Sequence, residues 1–352
     1  MADEVIKTQA ISYPHADAGT LRLFGEDTEY KDIPWSVGSN LIMGADGDVR
    51  EPYNLNTTTS IAYMYYQKSN FSLPNGITFA GVSNFGYAFY QVNGLTFASG
   101  VKVCGDTNQY EFYGAKNITF TDKVVLTGNC TMMFANAAST VVFNGGFDYT
   151  SEAVVLDSVF SGTQIAIPDK THIDIYLPKC TDMRGVFQAL SGFNTIKVVA
   201  PECTTAQNLA RAVGGLTELY VDMPKCTTVT TPPTAGGGNW GLCGASGSLR
   251  KLTTIMPKLL YGTYFAENCW GCREWYGDLS SVTGLASGFN GWAMDAASVK
   301  RLADTLPTFT SGSHPIGWGV DKDLQNDPDV LADIQRVRDK GWSVTLQWNA
   351  KA

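Results

Sequence analysis

Short stretches of alternating apolar and polar residues recur along the chain at a constant interval. Ile173-Asp174-Ile175, Ile196-Lys197-Val198 and Leu219-Tyr220-Val221 fall 23 residues apart, and Leu252 and Trp275, themselves 23 apart, continue the series. Period-two alternation over three to five residues predicts half-buried strands with the aliphatic residues facing inward. Each stretch runs into a proline, in Pro178-Lys179-Cys180-Thr181, Pro201-Glu202-Cys203-Thr204 and Pro224-Lys225-Cys226-Thr227. Proline cannot donate to a ladder, so it ends the strand. A second apolar anchor follows each proline: Val186-Phe187, Leu209, Leu242 and Phe265. Pro257-Lys258-Leu259 arrives 33 residues after Pro224, and the extra ten match a Gly/Pro-rich insertion at 231–238.

The period persists upstream in degenerate form. Leu95-Thr96-Phe97, Ile118-Thr119-Phe120 and Val141-Val142-Phe143 are again 23 apart, with Tyr87-Ala88-Phe89, Tyr110-Glu111-Phe112 and Met132-Met133-Phe134 between them. Glycine and asparagine punctuate the corners, where positive φ is needed. No single repeat can bury its own face, so stacking must create the core. The expected fold is mainly β, a β-solenoid of period about 23 over 71–292. Residues 1–70 read as a non-repeat, β-rich N-terminal domain with strand-like pieces at Leu21–Phe24 and Ile61–Tyr66. Residues 293–352 read as a small α/β cap. Asp295 would cap a helix carrying Val299, Leu302 and Leu306 and stopping at Pro307, and Asp327-Pro328 would open a second helix ending at Gly341. Ile316–Val320 and Trp342–Trp348 read as strands.

Composition narrows the function classes. Only 16% of the 352 residues are charged, against about 25% in ordinary domains. The net charge of −8 argues against a phosphate-tracking surface and hence against nucleic acid as a partner. Three histidines, His15, His172 and His314, leave little material for histidine chemistry or metal binding. No cofactor and no metal are expected. No apolar run reaches the ~18 residues of a membrane span, and the acidic start Met1-Ala2-Asp3-Glu4 lacks the apolar stretch of a secretory signal. The 23-residue spacing of Cys180, Cys203 and Cys226 reads as one structural position used repeatedly, a column of buried reduced thiols. Cys269-Trp270-Gly271-Cys272 is a lone C-x-x-C without the second pair that a zinc site needs.

With its I-x-[IV]-x-x-P-K-C-T core and the aromatic anchor after it, the array resembles the BspA-like, Treponema-type leucine-rich repeats of bacterial surface adhesins. The resemblance is good over 171–292 and weaker over 75–170. The tail from Met294 to Asn349 is similar to the C-terminal module on such repeats in proteins of Bacteroidales and their tailed phages, including crAss-like phages. The resemblance implies a leucine-rich-repeat-like solenoid. It further implies a phage virion structural protein, a head or tail fibre or appendage assembled in the host cytoplasm, that binds a host-surface receptor or glycan. The N-terminal domain would dock on other virion proteins, and the chain would be a homo-oligomer, a trimer first, since fibres gain avidity from symmetry. A secreted adhesin at the bacterial cell surface, seen without its signal peptide, is the first alternative.

A glycan depolymerase is the second alternative, and a non-enzymatic role is preferred. Glycosidases need paired carboxylates. Asp174 and Asp222 are two rungs plus two residues apart, so about 10 Å at the strand spacing of a sheet, too far for a retaining pair. Glu267, Glu274 and Asp278 cluster late in the array. Solvated acids on an outer face account for all five. The ligand-binding candidates are the outward strip Asp174, Tyr176, Lys197, Tyr220, Asp222 and Tyr276. Aromatic faces and carboxylates suit sugars there, and the same residues also make an ordinary solvent-facing sheet. Trp240, Trp270 and Trp292 fall near loop positions, where tryptophan marks either an interface or edge packing. Trp275 sits in a strand slot and reads as core.

Overall fold

The computed structural model describes residues 19–24, 30–35, 59–67, 73, 78–137, 139–168, 170–229 and 241–350. The protein is mainly β, with 33% of the described residues in strands and 9% in helix, and several of its sheets are parallel. It falls into two compact units, residues 1–150 with 163–169, and residues 151–162 with 170–352.

The first unit begins with an antiparallel pair, β1 (Gly19–Phe24) and β2 (Tyr30–Trp35). Next come β3 (Asn93–Phe97), β4 (Lys116–Phe120), β5 (Val124–Asn129), β6 (Val141–Phe143), β7 (Phe147–Val155) and β8 (Ile165–Ala166). β3, β4, β6 and β8 form one parallel sheet in that order. Its register sets Leu95 beside Ile118, and Phe97 beside Phe120 and then Phe143. The 23-residue interval of the sequence is therefore the interval of the ladder. β5 and β7 make a separate two-stranded sheet.

The anchor segments are more regular than alternation suggests. Among the described residues, pairs four apart with positive φ recur from repeat to repeat, from Tyr63 and Gln67 through Tyr87/Gln91, Tyr110/Gly114 and Asn208/Ala212 to Ser287/Gly291. Between such positions, alternate N–H groups donate to the next repeat's carbonyls. Phe85, Tyr87, Phe89 and Gln91 donate to Thr107, Gln109, Glu111 and Tyr113. In the second unit Met183, Gly185, Phe187 and Ala189 donate to Thr205, Gln207, Leu209 and Arg211 in the same way. Left-handed backbone costs an L-residue roughly 1–2 kcal/mol. Each inter-repeat hydrogen bond returns about 0.5–1.5 kcal/mol net, so the turns persist without glycine at every corner. Residues 59–67, expected to hold a strand of the N-terminal domain, are instead the first of these turns, with Ile61, Tyr63, Tyr65 and Gln67 donating to Asn84, Gly86, Ala88 and Tyr90. Burial there follows the turn rather than a strand, with Ile61, Met64 and Tyr65 buried and Tyr63 and Gln67 exposed.

The core of the first unit is a herringbone of phenylalanines. Phe89, Phe112 and Phe134 stack face to face at 5.1–5.2 Å, and Phe97, Phe120 and Phe143 at 4.9–5.0 Å. The two columns meet edge to face, as with Phe97 against Phe112 at 5.5 Å and 84°. Stacked columns that meet at right angles satisfy the ring quadrupole in both directions. One residue breaks this apolar filling. Glu111 occupies the anchor slot held by Ala88 and Met133 in the neighbouring repeats, is fully buried, and has no hydrogen-bond partner for either carboxylate oxygen. Burial, with Cys104 nearby, pushes its pKa well above the ordinary carboxylate range, which favours the neutral form.

The second unit contains a five-stranded parallel sheet, β9 (His172–Tyr176), β10 (Thr195–Val199), β11 (Glu218–Asp222), β12 (Lys251–Ile255) and β13 (Glu274–Asp278), in sequence order. Ile173, Ile196, Leu219, Leu252 and Trp275 share one buried column. The 33-residue step from β11 to β12 keeps the register, so the insertion leaves the ladder intact. Residues 230–240, the insertion itself, lie outside the described residues. Cys180, Cys203 and Cys226 are buried free thiols that donate to the carbonyls of Asp182, Thr205 and Thr228 at 3.4, 3.2 and 3.5 Å. Burial pushes the Cys180 thiol up to about 12 and that of Cys226 up to about 11. Gly277 stands where the sheet's other inward column has Ile175, Val198, Val221 and Thr254. The Thr254 carbonyl and the Trp275 indole fill that space, and a Cβ on Gly277 would run into the first and lie 2.7 Å from the second.

The chain ends in a three-stranded parallel sheet, β14 (Leu285–Met294), β15 (His314–Asp321) and β16 (Trp342–Asn349), with helices α1 (Ala296–Thr305) and α2 (Pro328–Asp339). Both helices start where the sequence places them. Asp295 accepts from the Ser298 N–H, and Asp327 from those of Asp329 and Val330. The sheet of this module begins earlier than residue 293, since β14 starts at Leu285. α1 covers the edge of β13. The Ser298 hydroxyl accepts from the Trp275 N–H at 2.9 Å, and Arg301 donates to the Trp275 carbonyl at 2.6 Å. Side chains thus satisfy an edge that would otherwise offer bare backbone to another strand.

Candidate ligand-binding surfaces

The register of β9–β13 sorts the outward candidates into columns. Asp174, Lys197, Tyr220, Thr253 and Tyr276 line up across the five strands, and Tyr176, Val199, Asp222, Ile255 and Asp278 form a parallel column. Four of the six strip residues, Asp174, Lys197, Tyr220 and Tyr276, are therefore brought into one row. Tyr176 and Asp222 share the other.

These side chains engage one another. Lys197 donates to Asp174 at 3.3 Å and lies 5.9 Å from the centre of the Tyr220 ring. Lys251 donates to Glu218 at 2.8 Å and lies 5.6 Å from the Tyr276 ring. Arg301 covers the same ring at 3.9 Å, and the Tyr276 hydroxyl donates to Glu274 at 3.3 Å. Such exposed pairs contribute little to stability, but they hold each carboxylate against a cation. The Asp174 and Asp222 carboxylates stand on strands with β10 between them, about 10 Å apart by strand spacing, and Lys197 already neutralises the first. Asp278 caps the Ser280 N–H at 3.0 Å. Partial burial raises the pKa of Glu267, on the turn before β13.

The tryptophans separate. Trp270 is exposed, at 55%, on the turn before β13. Trp292 is wholly buried in β14, where its indole N–H donates to the Ala266 carbonyl at 2.7 Å. It packs edge-on against Phe289 at 5.3 Å. Trp292 therefore belongs to the core and leaves the list of surface candidates, because β14 is a strand continuous with the terminal sheet rather than a loop. Trp240 lies outside the described residues. Trp275 is core.

A second surface escaped the strand-by-strand reading. In the first unit Tyr63, Tyr87 and Tyr110 stack in one column at 4.8 and 4.9 Å, and Tyr66, Tyr90 and Tyr113 in another at 4.8 and 5.3 Å, all within 11° of parallel. The columns stand 5.7–6.0 Å apart. Tyr63 is exposed and the other five are half-buried. Partial burial and the neighbouring phenols raise the pKa of Tyr87 and Tyr90. At the flank, Gln67 donates to Gln91 at 2.9 Å and Asn136 to the Tyr113 hydroxyl at 2.8 Å. The legible signal is a Tyr-x-x-Tyr recurring at 63, 87 and 110.

A cavity of about 200 Å³ in the first unit is lined by Phe97, Lys102, Cys104, Phe120, Asp122 and Val124 among others. Its Asp122 carboxylate accepts from the Ser99 hydroxyl and the Gly100 N–H, which lowers its pKa and closes the adjoining loop. Among the described residues no group of three or more His, Cys, Asp or Glu side chains is arranged to hold a metal, and no helix is long and apolar enough to cross a membrane. No protein-family model matches the chain, and neither a curated protein nor a solved structure matches it.

Proposed function

We propose that the chain is a structural protein of a tailed-phage virion, a head or tail fibre or appendage, that contributes to binding a host-surface receptor. In this reading the 71–292 array is a leucine-rich-repeat-like β-solenoid of period about 23, and residues 1–70 dock on other virion proteins. The observation that carries the reading is a 23-residue repeat ladder whose last strand, β13, is closed by α1 of a separate α/β module. A repeated outward surface with a protected edge suits a solvent-exposed appendage, because open ladders aggregate. Mass spectrometry of purified virions tests it. The chain is expected in the particle at a stoichiometric multiple, and its absence from particles overturns the proposal. For a trimer, light scattering should give a mass near three times 38.1 kDa.

The I-x-[IV]-x-x-P-K-C-T repeats also favour a bacterial surface adhesin. Protease shaving of intact cells separates the two readings, since an adhesin is released from the cell surface and a virion protein is not.

A further inference from the structure

We propose that the tyrosine array of the first unit is a binding surface for a neutral, hydroxyl-rich polysaccharide. The first ground is a broken local rule. Tyr63, Tyr87 and Tyr110 have φ of 60°, 57° and 56°, a left-handed conformation that a bulky L-residue avoids. The second unit fills the equivalent corners with Ser158, Gly185, Asn208, Gly241, Tyr264 and Ser287, among which tyrosine stands once. The fold is served by Gly, Asn or Ser at this slot, and only in the first unit does tyrosine stand there in three successive described repeats against backbone preference. Such departures mark positions kept for something other than folding.

The second ground is what the array presents. Within each column the rings cover one another's faces at 4.8–5.3 Å, so along the array ring edges and phenol groups are left for a partner. None of the six tyrosines, nor Gln67, Gln91 or Asn136 beside them, carries a charge. A row of phenols and amides repeated at the ladder spacing can donate and accept hydrogen bonds along a partner that is itself periodic and rich in hydroxyls. A protein partner would seek an apolar pocket for an anchor residue, and an anionic one would need cations. A neutral polysaccharide fits both constraints. The inference shares with the virion reading only the idea of an external ligand, and it stands whether or not the chain is part of a particle.

Affinity electrophoresis of the full chain through gels containing dextran, laminarin, galactomannan or xylan, with alginate as anionic control, tests it. At least one neutral polymer should retard the protein, and added salt should leave the retardation unchanged. The triple change Tyr63→Asn, Tyr87→Asn and Tyr110→Asn keeps residues that tolerate left-handed backbone and should weaken binding at least about tenfold. The pair Tyr87→Phe and Tyr90→Phe retains the stacking and removes two hydroxyls. It should weaken binding severalfold, which a purely structural role for the rings would not do. Any of three results would overturn the proposal: no retardation by any neutral polymer, retardation by alginate alone, or variants that bind like the parent. Sedimentation adds a fourth. Self-association of the parent that the triple change abolishes would make the array a contact between copies. Absence from virions would leave this outcome untouched, so the two readings fail separately.

Discussion

The two units meet the same packing problem with different side chains. The first fills the space between its ladders with rings, so that Phe89, Phe112 and Phe134 stand over one another while Phe97, Phe120 and Phe143 meet them edge-on. The second uses Ile173, Ile196, Leu219 and Leu252, with thiols at Cys180, Cys203 and Cys226. Both keep the 23-residue step and the same paired left-handed corners. The period is therefore a property of the backbone, of strand plus hydrogen-bonded turn, and the core composition is free to vary over it. Rings gain directional stacking, about 0.5–1.5 kcal/mol per pair beyond area. Aliphatic columns depend on volume alone, which makes them tolerant where they are small.

The largest test of that contrast is Phe112→Ala, which removes a ring touching both columns. It should cost about 3–5 kcal/mol, read from urea unfolding followed in the first unit. A loss below about 1 kcal/mol would mean that the herringbone contributes no more than an ordinary side chain. In the second unit Gly277→Val restores the residue type of its column yet should destabilise by about 1–3 kcal/mol through overpacking, because the Thr254 carbonyl and the Trp275 indole already fill the space. If the variant were as stable as the parent, the column would be governed by residue type and not by volume.

Glu111 sharpens the comparison from inside the aromatic core. Its folded pKa is raised by burial, above an unfolded value of about 4.3. The folded state therefore binds the proton more tightly than the unfolded chain. Stability is fully present below the unfolded pKa and is lost as pH rises toward the folded one, with a limiting slope of about 1.4 kcal/mol per pH unit. Glu111→Gln should flatten that profile between pH 5 and 7, roughly the interval just above the unfolded pKa. Glu111→Met should stabilise the protein at neutral pH by about 1–3 kcal/mol, the desolvation cost of an unpartnered polar group. An unchanged pH profile in the Gln variant would show that the acid finds a partner or water.

The smallest effect belongs to the thiol column. Cys203→Ala should cost only about 1 kcal/mol. In the native protein Cys180, Cys203 and Cys226 should resist a thiol reagent at pH 8 and react on denaturation, since burial raises all three thiols and the thiolate is the reactive form. Rapid labelling of the native chain would break the assignment of these residues to a closed core.

Much of this was legible in the sequence because it rests on spacing. The prolines and the alternation around Ile173, Ile196 and Leu219 give the sheet and its register, and Asp295 and Asp327 give both helix starts. The turns were not legible as ladders. Tyr, Gln, Met and Ala at positive φ violate local preference, and hydrogen bonds within the turn and between repeats support them. That failure also hid the first turn at 59–67 and the tyrosine array above it. Trp292 was misplaced for a related reason: an aromatic near a turn signal reads as loop unless the strand β14 that carries it is seen to run on through Met294.

Hydrogen exchange at single-amide resolution addresses the central claim, that a second hydrogen-bonded ladder at the turns sets the repeat. The amides of Phe85, Tyr87, Phe89 and Gln91, which donate to the next repeat, should exchange as slowly as those of β3 and β4. Exchange at the rate of open surface turns would contradict it and would leave the strands alone to hold the array together.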